Sequence, residues 1–271
     1  MSITFSTAWY NFNSKHPTKV YEMWIHNMLS NVNNYNLVIY SDLNSCEIFK
    51  KYLENPNIKI VIKPMEEFYN YKYNDYWVNN HEKNSYLTKH GVPWEINMLW
   101  AEKISFVKET FERKYFDTDF YGWCDIGYFR NREILDLPSD QLKFWPSREK
   151  LLMFDLNKVH YACPISNPSK LGHLEKIVKD KNYIGLPKIP IPPEQVSIAG
   201  GFFLLYKDKI EWWRETFDAK LRLYFENEYL VKDDQMIILD CVFSDVGSNF
   251  KLYYENAYPL DSWFQFQRIL L

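Results

Sequence analysis

The chain has little of what would let its chemistry be read off directly. Its four cysteines, Cys46, Cys124, Cys163 and Cys241, lie far apart without a C-x-x-C spacing, which argues against a zinc site and against a disulfide scaffold. The six histidines are equally scattered, with no H-E-x-x-H or H-x-x-H pair to present a metal from one helix face. No apolar run approaches the length of a bilayer span. Residues 1–5 show neither the basic nor the apolar region of a secretory signal, so a cytoplasmic location is expected. A net charge of −3 offers no basic field to nucleic acid, and the pair Lys50-Lys51 reads as a solvated helix face.

What is present is the material of one large folded unit. With 271 residues, 46% hydrophobic and 25% charged, the chain can bury a core without disulfides or structural metal. Aromatic residues make up 18%, and two origins are open. The chain is also rich in Asn, Lys, Ile and Tyr, the bias that AT-rich coding produces. Alternatively, aromatic faces line a sugar or nucleobase site.

Hydrophobic patterning places the elements. A β-branched and aromatic strand covers Ile3–Trp9. A helix follows over Thr18–Leu29, with Val20, Met23, Trp24 and Met28 near one face. Leu37-Val38-Ile39-Tyr40 is a compact run suited to a buried parallel strand. A short helix at 46–53 and a strand at 58–63 continue the alternation of a doubly wound α/β half. Residues 64–93 lack clean periodicity and read as a long excursion. The strongest helix covers 94–111, opened by Pro93, with Ile96, Leu99, Trp100, Lys103, Ile104 and Val107 at helical spacing. A strand then leads through Phe120-Tyr121-Gly122-Trp123-Cys124 into Asp125. A further strand at 201–206 and helices at 209–226 and 233–242 complete the pattern. No repeat or linker divides the chain, so one domain over 1–271 is expected, with an N-terminal half to about 130 and a C-terminal half from about 131.

Three constellations could carry chemistry. Asp125 closes an apolar strand, and ligands of open α/β sheets sit beyond the carboxyl ends of strands. Gly127 permits a tight turn or a close backbone approach, and Arg130 suits a phosphate; a turn-capping role for Asp125 is the competing reading. Gly200-Gly201 precedes the strand Phe202-Phe203-Leu204 and could let backbone pass close to a ligand, or simply form a turn. Lys232-Asp233-Asp234-Gln235 opens a helix, where an acidic residue is favoured as cap and by the macrodipole. Capping accounts for one Asp but not for two followed by Gln. A carboxylate held there could also act as base or as an acceptor hook.

A carboxylate after an apolar strand, a Gly-Gly strand entry and an acidic-Gln helix start occur here in the order seen in nucleotide-sugar glycosyltransferases of GT-A type. More narrowly, the Thr7-Ala8-Trp9-Tyr10 strand, the helix with Trp100 and Lys103, and Trp123-Cys124-Asp125-Ile126-Gly127-Tyr128-Phe129-Arg130 resemble the bacterial HtrL/YibB family, which is grouped with the glycosyltransferases. The resemblance implies a GT-A-like doubly wound mixed sheet flanked by helices. It also implies transfer of a sugar from a nucleotide-sugar donor, UDP being the expected nucleotide, to a hydroxyl of a glycan, lipid or protein.

By position, the resemblance puts Thr7, Ala8, Trp9, Lys103, Asp125, Gly127, Tyr128 and Arg130 at the donor, and Gly200, Gly201 and Gln235 beside the acceptor and sugar. Asp234 stands where related enzymes keep a catalytic carboxylate, with Asp233 next in line. Such enzymes bind Mn²⁺ or Mg²⁺ through an Asp-x-Asp motif. Here Gly127 or Trp123 stands where the second Asp belongs, and no histidine follows His173, so Asp125 is the single metal ligand offered. Two other readings compete. One is a non-catalytic glycan or partner binder on a degenerate glycosyltransferase fold. The other is a nucleotidyltransferase, for which residues 4–9 lack a Gly- and Lys-rich phosphate loop.

Overall fold

A computed structural model of the chain describes residues 1–12, 16–165 and 167–271. The first half alternates as its patterning predicts. Strand β1 (Ile3–Trp9) is followed by α1 (Thr18–Leu29), β2 (Asn36–Ser41), a 3₁₀ segment (Cys46–Tyr52) and β3 (Ile58–Ile62). Helices α2 (Asn74–Lys83), α3 (Ser85–Lys89) and α4 (Trp94–Glu112) then lead to β4 (Phe120–Cys124). The second half runs α5 (Arg148–Leu151), β5 (Val159–Ala162), α6 (Pro168–Lys179), β6 (Phe202–Tyr206), α7 (Ile210–Glu226), α8 (Asp234–Ser244), β7 (Phe250–Tyr253) and α9 (Phe266–Ile269).

The strands form one mixed seven-stranded sheet in the order β3-β2-β1-β4-β6-β5-β7. Only β6 runs against its neighbours, antiparallel to both β4 and β5. Both halves of the chain therefore share a single sheet within one α/β domain. From β1 the chain steps outward to β2 and β3 on one side, while β4 pairs on the other. Connections thus leave the carboxyl ends of β1 and β4 in opposite directions, which makes this edge the topological switch point where open α/β sheets place their ligand crevice. Because β6 is reversed, it begins at the edge where β1 and β4 end, which brings Gly200-Gly201 beside Asp125.

Strict alternation along the strands feeds two core layers. Val38, Tyr40, Tyr121 and Trp123 pack with residues of α4, α7 and α8 on one face. Leu37, Ile39, Phe5, Phe120 and Cys124 pack on the other with Ile25, Met28 and Leu29 of α1. Helix α1 is turned slightly from its predicted orientation. Its buried residues are Trp24, Ile25, Met28 and Leu29, whereas Met23 is half exposed, because Trp24 is the one that packs over Gly127 and against the Arg130 guanidinium. Strands β5 and β7 and helix α6 went unread in the sequence. Each strand has four residues, and the buried His160 breaks the apolar run of β5.

Residues 64–93 are ordered helix rather than an open excursion. Two 3₁₀ turns, Met65–Glu67 and Tyr69–Tyr73, precede α2 and α3. Their periodicity was hidden because several of the inward-facing residues are polar. Asn70, Asn80 and Asn84 are buried together with Trp77 and Leu87, and each asparagine satisfies backbone that would otherwise lose its partners. The buried Glu102 carboxylate on α4 accepts the amide hydrogens of Tyr69 and Asn70 at 2.7 and 2.9 Å. Trp77 meets Phe225 of α7 edge-on at 4.7 Å.

Asn80 forms the most consequential of these contacts. Its amide donates to the Val231 carbonyl at 2.8 Å, and its carbonyl accepts the Val231 amide at 2.8 Å. Asn97 of α4 donates to the same carbonyl at 3.0 Å. The strand-like segment entering α8 is thereby pinned three residues before Asp234. Among the described residues, no helix is long and apolar enough to cross a membrane.

Removing Asn80 strands the buried Val231 amide, at about 1–3 kcal/mol for the group left unpaired, while the Val231 carbonyl keeps the bond from Asn97. Asn80→Ala is therefore expected to lower unfolding stability by roughly 1–3 kcal/mol in urea denaturation. Loss of hydrogen-exchange protection should be concentrated at the start of α8. A change of less than about 0.5 kcal/mol would show that the clamp is dispensable.

Candidate functional site

Four elements converge on the ammonium of Lys103, which projects from the middle of α4. Its Nζ donates to the Gly200 carbonyl oxygen at 2.8 Å. It lies 3.1 Å from Asp234 Oδ2 at the first turn of α8 and 3.4 Å from Asp125 Oδ1 just beyond β4. The Trp123 indole N–H donates to Asp125 Oδ1 at 2.5 Å, and the Asp125 amide donates to the Gly201 carbonyl at 2.9 Å. The cluster is unequally buried: the side chains of Lys103 and Asp234 are 9% and 4% exposed, while that of Asp125 is 40% exposed. Asp125 is thus the one carboxylate of the cluster that a ligand can touch.

The glycine pair is required by space, not by backbone conformation. A Cβ at Gly200 would lie 2.9 Å from Asp234 Oδ2, and one at Gly201 would lie 3.0 Å from Asp125 Oδ2 and 3.3 Å from Trp263 Nε1. The close approach anticipated from the sequence is made by the protein's own carboxylates.

Burial governs the electrostatics. It pushes Asp234 up from 3.8 to about 7, against the opposing pull of the Lys103 ammonium, with the charge of Asp233 adding to the rise. Burial alone would lower Lys103, but Asp125 and Asp234 more than offset it and hold the ammonium above the usual lysine range. Lys103 therefore stays charged, and Asp234 takes up a proton far more readily than an exposed aspartate.

Aromatic and cationic groups form the outer wall. The Arg130 guanidinium lies between the rings of Trp24, at 4.4 Å, and Phe264, at 5.0 Å, and its Nε donates to the Gly127 carbonyl at 3.0 Å. Among the described residues, no carboxylate forms an ion pair with it. Burial, and then the charge of Arg132, lower its proton affinity, whereas Asp125 raises it. Tyr21 meets Trp9 in a tilted contact at 4.7 Å and feels the charges of both Arg130 and Asp125, which places it near both groups. Tyr21, Trp24, Trp263 and Phe264 carried no sequence signal of a site, because ordinary packing explains an aromatic on an amphipathic helix or a C-terminal turn equally well.

The other expected site residues separate on burial. Lys103, Asp125, Arg130, Gly200, Gly201 and Asp234 gather at the crevice, and Gln235 flanks it, its Cγ lying 3.0 Å from where a Gly200 Cβ would stand. Tyr128 does not reach it. It is fully buried against Phe202 and Phe264, because the turn after Asp125 directs its ring into the core. Gly127 makes room for Trp24, which would lie 2.8 Å from a Cβ there. Thr7, Ala8 and Trp9 cannot all face one ligand. Strand alternation sends Ala8 into the α4-side core and Trp9 to the α1 side, and the buried Thr7 hydroxyl has no hydrogen-bond partner. Asp233 is engaged structurally: it caps α8 by accepting the Met236 amide at 3.1 Å and pairs with Lys232 at 2.8 Å.

The residues present do not assemble a divalent-metal site. Among the described residues, no three His, Cys, Asp or Glu side chains converge in a way that could hold an ion. The one candidate carboxylate, Asp125, already faces Lys103 and Trp123. A separate cavity of about 550 Å³ is lined by Lys63, Tyr69, Lys108, Glu109, Arg113 and Arg214. Its charges are largely spent on one another, Lys63 with Glu109 and both Lys108 and Arg214 with Glu211. No known family model matches the chain, and no curated protein matches it.

A carboxyl group whose folded value lies above its unfolded one keeps a proton that the unfolded chain gives up, so its contribution to stability is lost as pH rises from 3.8 to about 7. Glu102, raised to about 7 chiefly by burial, acts in the same direction. Asp234→Asn should remove one of these two contributions and flatten the decline. Urea denaturation across this range should show a smaller stability loss in the variant than in the wild type, by on the order of 1–3 kcal/mol. Parallel profiles would mean that Lys103 keeps Asp234 ionised throughout.

Proposed function

We propose that the chain is a glycosyltransferase of GT-A type that moves a sugar from a nucleotide-sugar donor, a UDP-sugar being the first to test, to a hydroxyl acceptor. The observation that carries this reading is the pairing of two groups at the switch-point crevice. Asp125 presents an accessible carboxylate from the end of β4, and Arg130 presents a guanidinium that, among the described residues, has no carboxylate partner. An ionised carboxylate accepts strong hydrogen bonds from sugar hydroxyls, and a guanidinium forks onto diphosphate oxygens. Tyr21 and Trp263, both partly exposed, add flat faces suited to a sugar or base. The mixed sheet and the order of the Asp125, Gly200-Gly201 and Asp234 segments agree with the resemblance seen in the sequence.

On this reading Asp125 touches the substrate, and Lys103 and Asp234 position it. In transfer, the bond from the anomeric carbon to the diphosphate oxygen breaks as the acceptor hydroxyl oxygen bonds to that carbon, and the hydroxyl proton passes to the departing diphosphate. The site contributes by fixing both partners and by stabilising the diphosphate charge as it leaves.

The test is to incubate the purified chain with a panel of nucleotide sugars and hydroxyl acceptors and to measure release of free nucleotide. Wild type should release nucleotide from one donor class, and Asp125→Asn should lose about 100-fold or more of that rate while melting within a few degrees of wild type. A collapse of stability in Asp125→Asn would support a turn-capping role instead. Saturable donor binding without release, whatever the acceptor, would favour the non-catalytic binder. A panel in which no donor is bound or consumed would overturn the reading.

A further inference from the structure

A metal that assists a diphosphate needs hard oxygen donors converging on one point. Three oxygens do converge here: the Gly200 carbonyl, Asp234 Oδ2 and Asp125 Oδ1. The point they share is already filled, since Lys103 Nζ lies 2.8, 3.1 and 3.4 Å from them. Neither α4 nor α8 is free to draw that ammonium away. Asn97, two turns upstream on α4, and Asn80 on α2 bind the backbone that leads into α8, and Gly200 has no side chain to separate its carbonyl from the cluster.

We infer that Lys103 is a built-in cation standing where a divalent ion would bridge the two aspartates, and that this crevice takes its anionic ligand without metal, through Arg130. A lysine ammonium can do the electrostatic part of a metal's work here, holding two carboxylates and a carbonyl together at fixed geometry. Being buried, it offers no open coordination position to a phosphate. Positive charge for the ligand must therefore come from a second, accessible group. Arg130 meets that need: its plane is fixed between Trp24 and Phe264, its Nε is tied to the Gly127 carbonyl, and among the described residues no carboxylate satisfies the rest of its guanidinium fork. The identity of the anion as a nucleoside diphosphate rests on the glycosyltransferase reading; the occupancy of the cation position by Lys103 does not.

The first experiment needs no nucleotide. Chelator-treated wild type and Lys103→Ala are titrated with Mn²⁺, and free ion is read by electron paramagnetic resonance. Wild type should show no saturable site that depends on Asp125. Lys103→Ala, which empties the space between three oxygen donors, should bind one ion at least about tenfold more tightly than wild type. The added substitution Asp125→Asn should abolish that gain. A merely structural lysine predicts no such gain, so a folded Lys103→Ala without it overturns the inference. An Asp125-dependent Mn²⁺ site in wild type overturns it equally, and that measurement stands even if the variant does not fold.

The second experiment uses UDP as probe and calorimetry as readout. Affinity should be the same within about twofold in EDTA and in Mn²⁺, and should fall about tenfold or more in Arg130→Gln. Affinity that appears only with Mn²⁺ overturns metal independence while sparing the glycosyltransferase reading. Absence of UDP binding under both conditions overturns the diphosphate assignment, leaving the Mn²⁺ titration to judge Lys103 alone.

Discussion

The Lys103 ammonium is the joint on which the carboxyl edge of this sheet depends. It ties the middle of α4 to the end of β4, the entry of β6 and the first turn of α8 through one nitrogen and three oxygens. Separately, each partner would be costly: two carboxylates drawn toward one another, and a lysine with its charge buried. Together the ammonium offsets the charge of one carboxylate and holds the other beside it, leaving Asp125 half open to solvent and Asp234 sealed behind it. Because the cost of unpairing a buried charge exceeds the gain from pairing it, the cluster imposes its geometry on the elements around it.

The sheet topology and the asparagine clamps serve that joint. Reversal of β6 alone brings the glycine pair to the carboxyl edge of β1 and β4, where the parallel strands have just ended. Helices α2 and α3, inserted between β3 and α4, look remote from the crevice. They nevertheless fix the Val231 backbone through Asn80 and so set where Asp234 enters. Stability and site are coupled along this path: loosening the segment between α7 and α8 would move a carboxylate that holds Lys103.

On the proposed reading, two cations of different character divide the work in one crevice. Lys103 is a point charge on a flexible stem, made rigid by burial, and organises carboxylates. Arg130 is a planar fork held by two aromatic faces, and it remains available to a ligand. The division fits the chemistry of the two side chains, since a compact ammonium suits a cage of single oxygens and a guanidinium suits the paired oxygens of a phosphate.

Much of this was legible in the sequence, for reasons that particular residues make plain. The strands 3–9 and 37–40 and the helix from Trp94 announce themselves because apolar alternation and helical spacing survive in one dimension. Asp125, Gly200-Gly201 and Asp234 stood out as polar or small residues at element ends, where packing alone does not call for them. Residues 64–93 were misread because their buried positions are asparagines chosen for distant backbone partners, and periodicity of hydrophobicity cannot register those. Tyr128 was placed at the crevice on proximity to Asp125, whereas the turn rotates its ring into the core. The sequence by itself determined the α/β alternation and which residue types stood ready for chemistry, because those follow from local spacing. Only the tertiary structure decided that an ammonium, rather than an open coordination site, lies between Asp125 and Asp234. That outcome depends on where α4 meets α8, and residues more than a hundred positions apart set it.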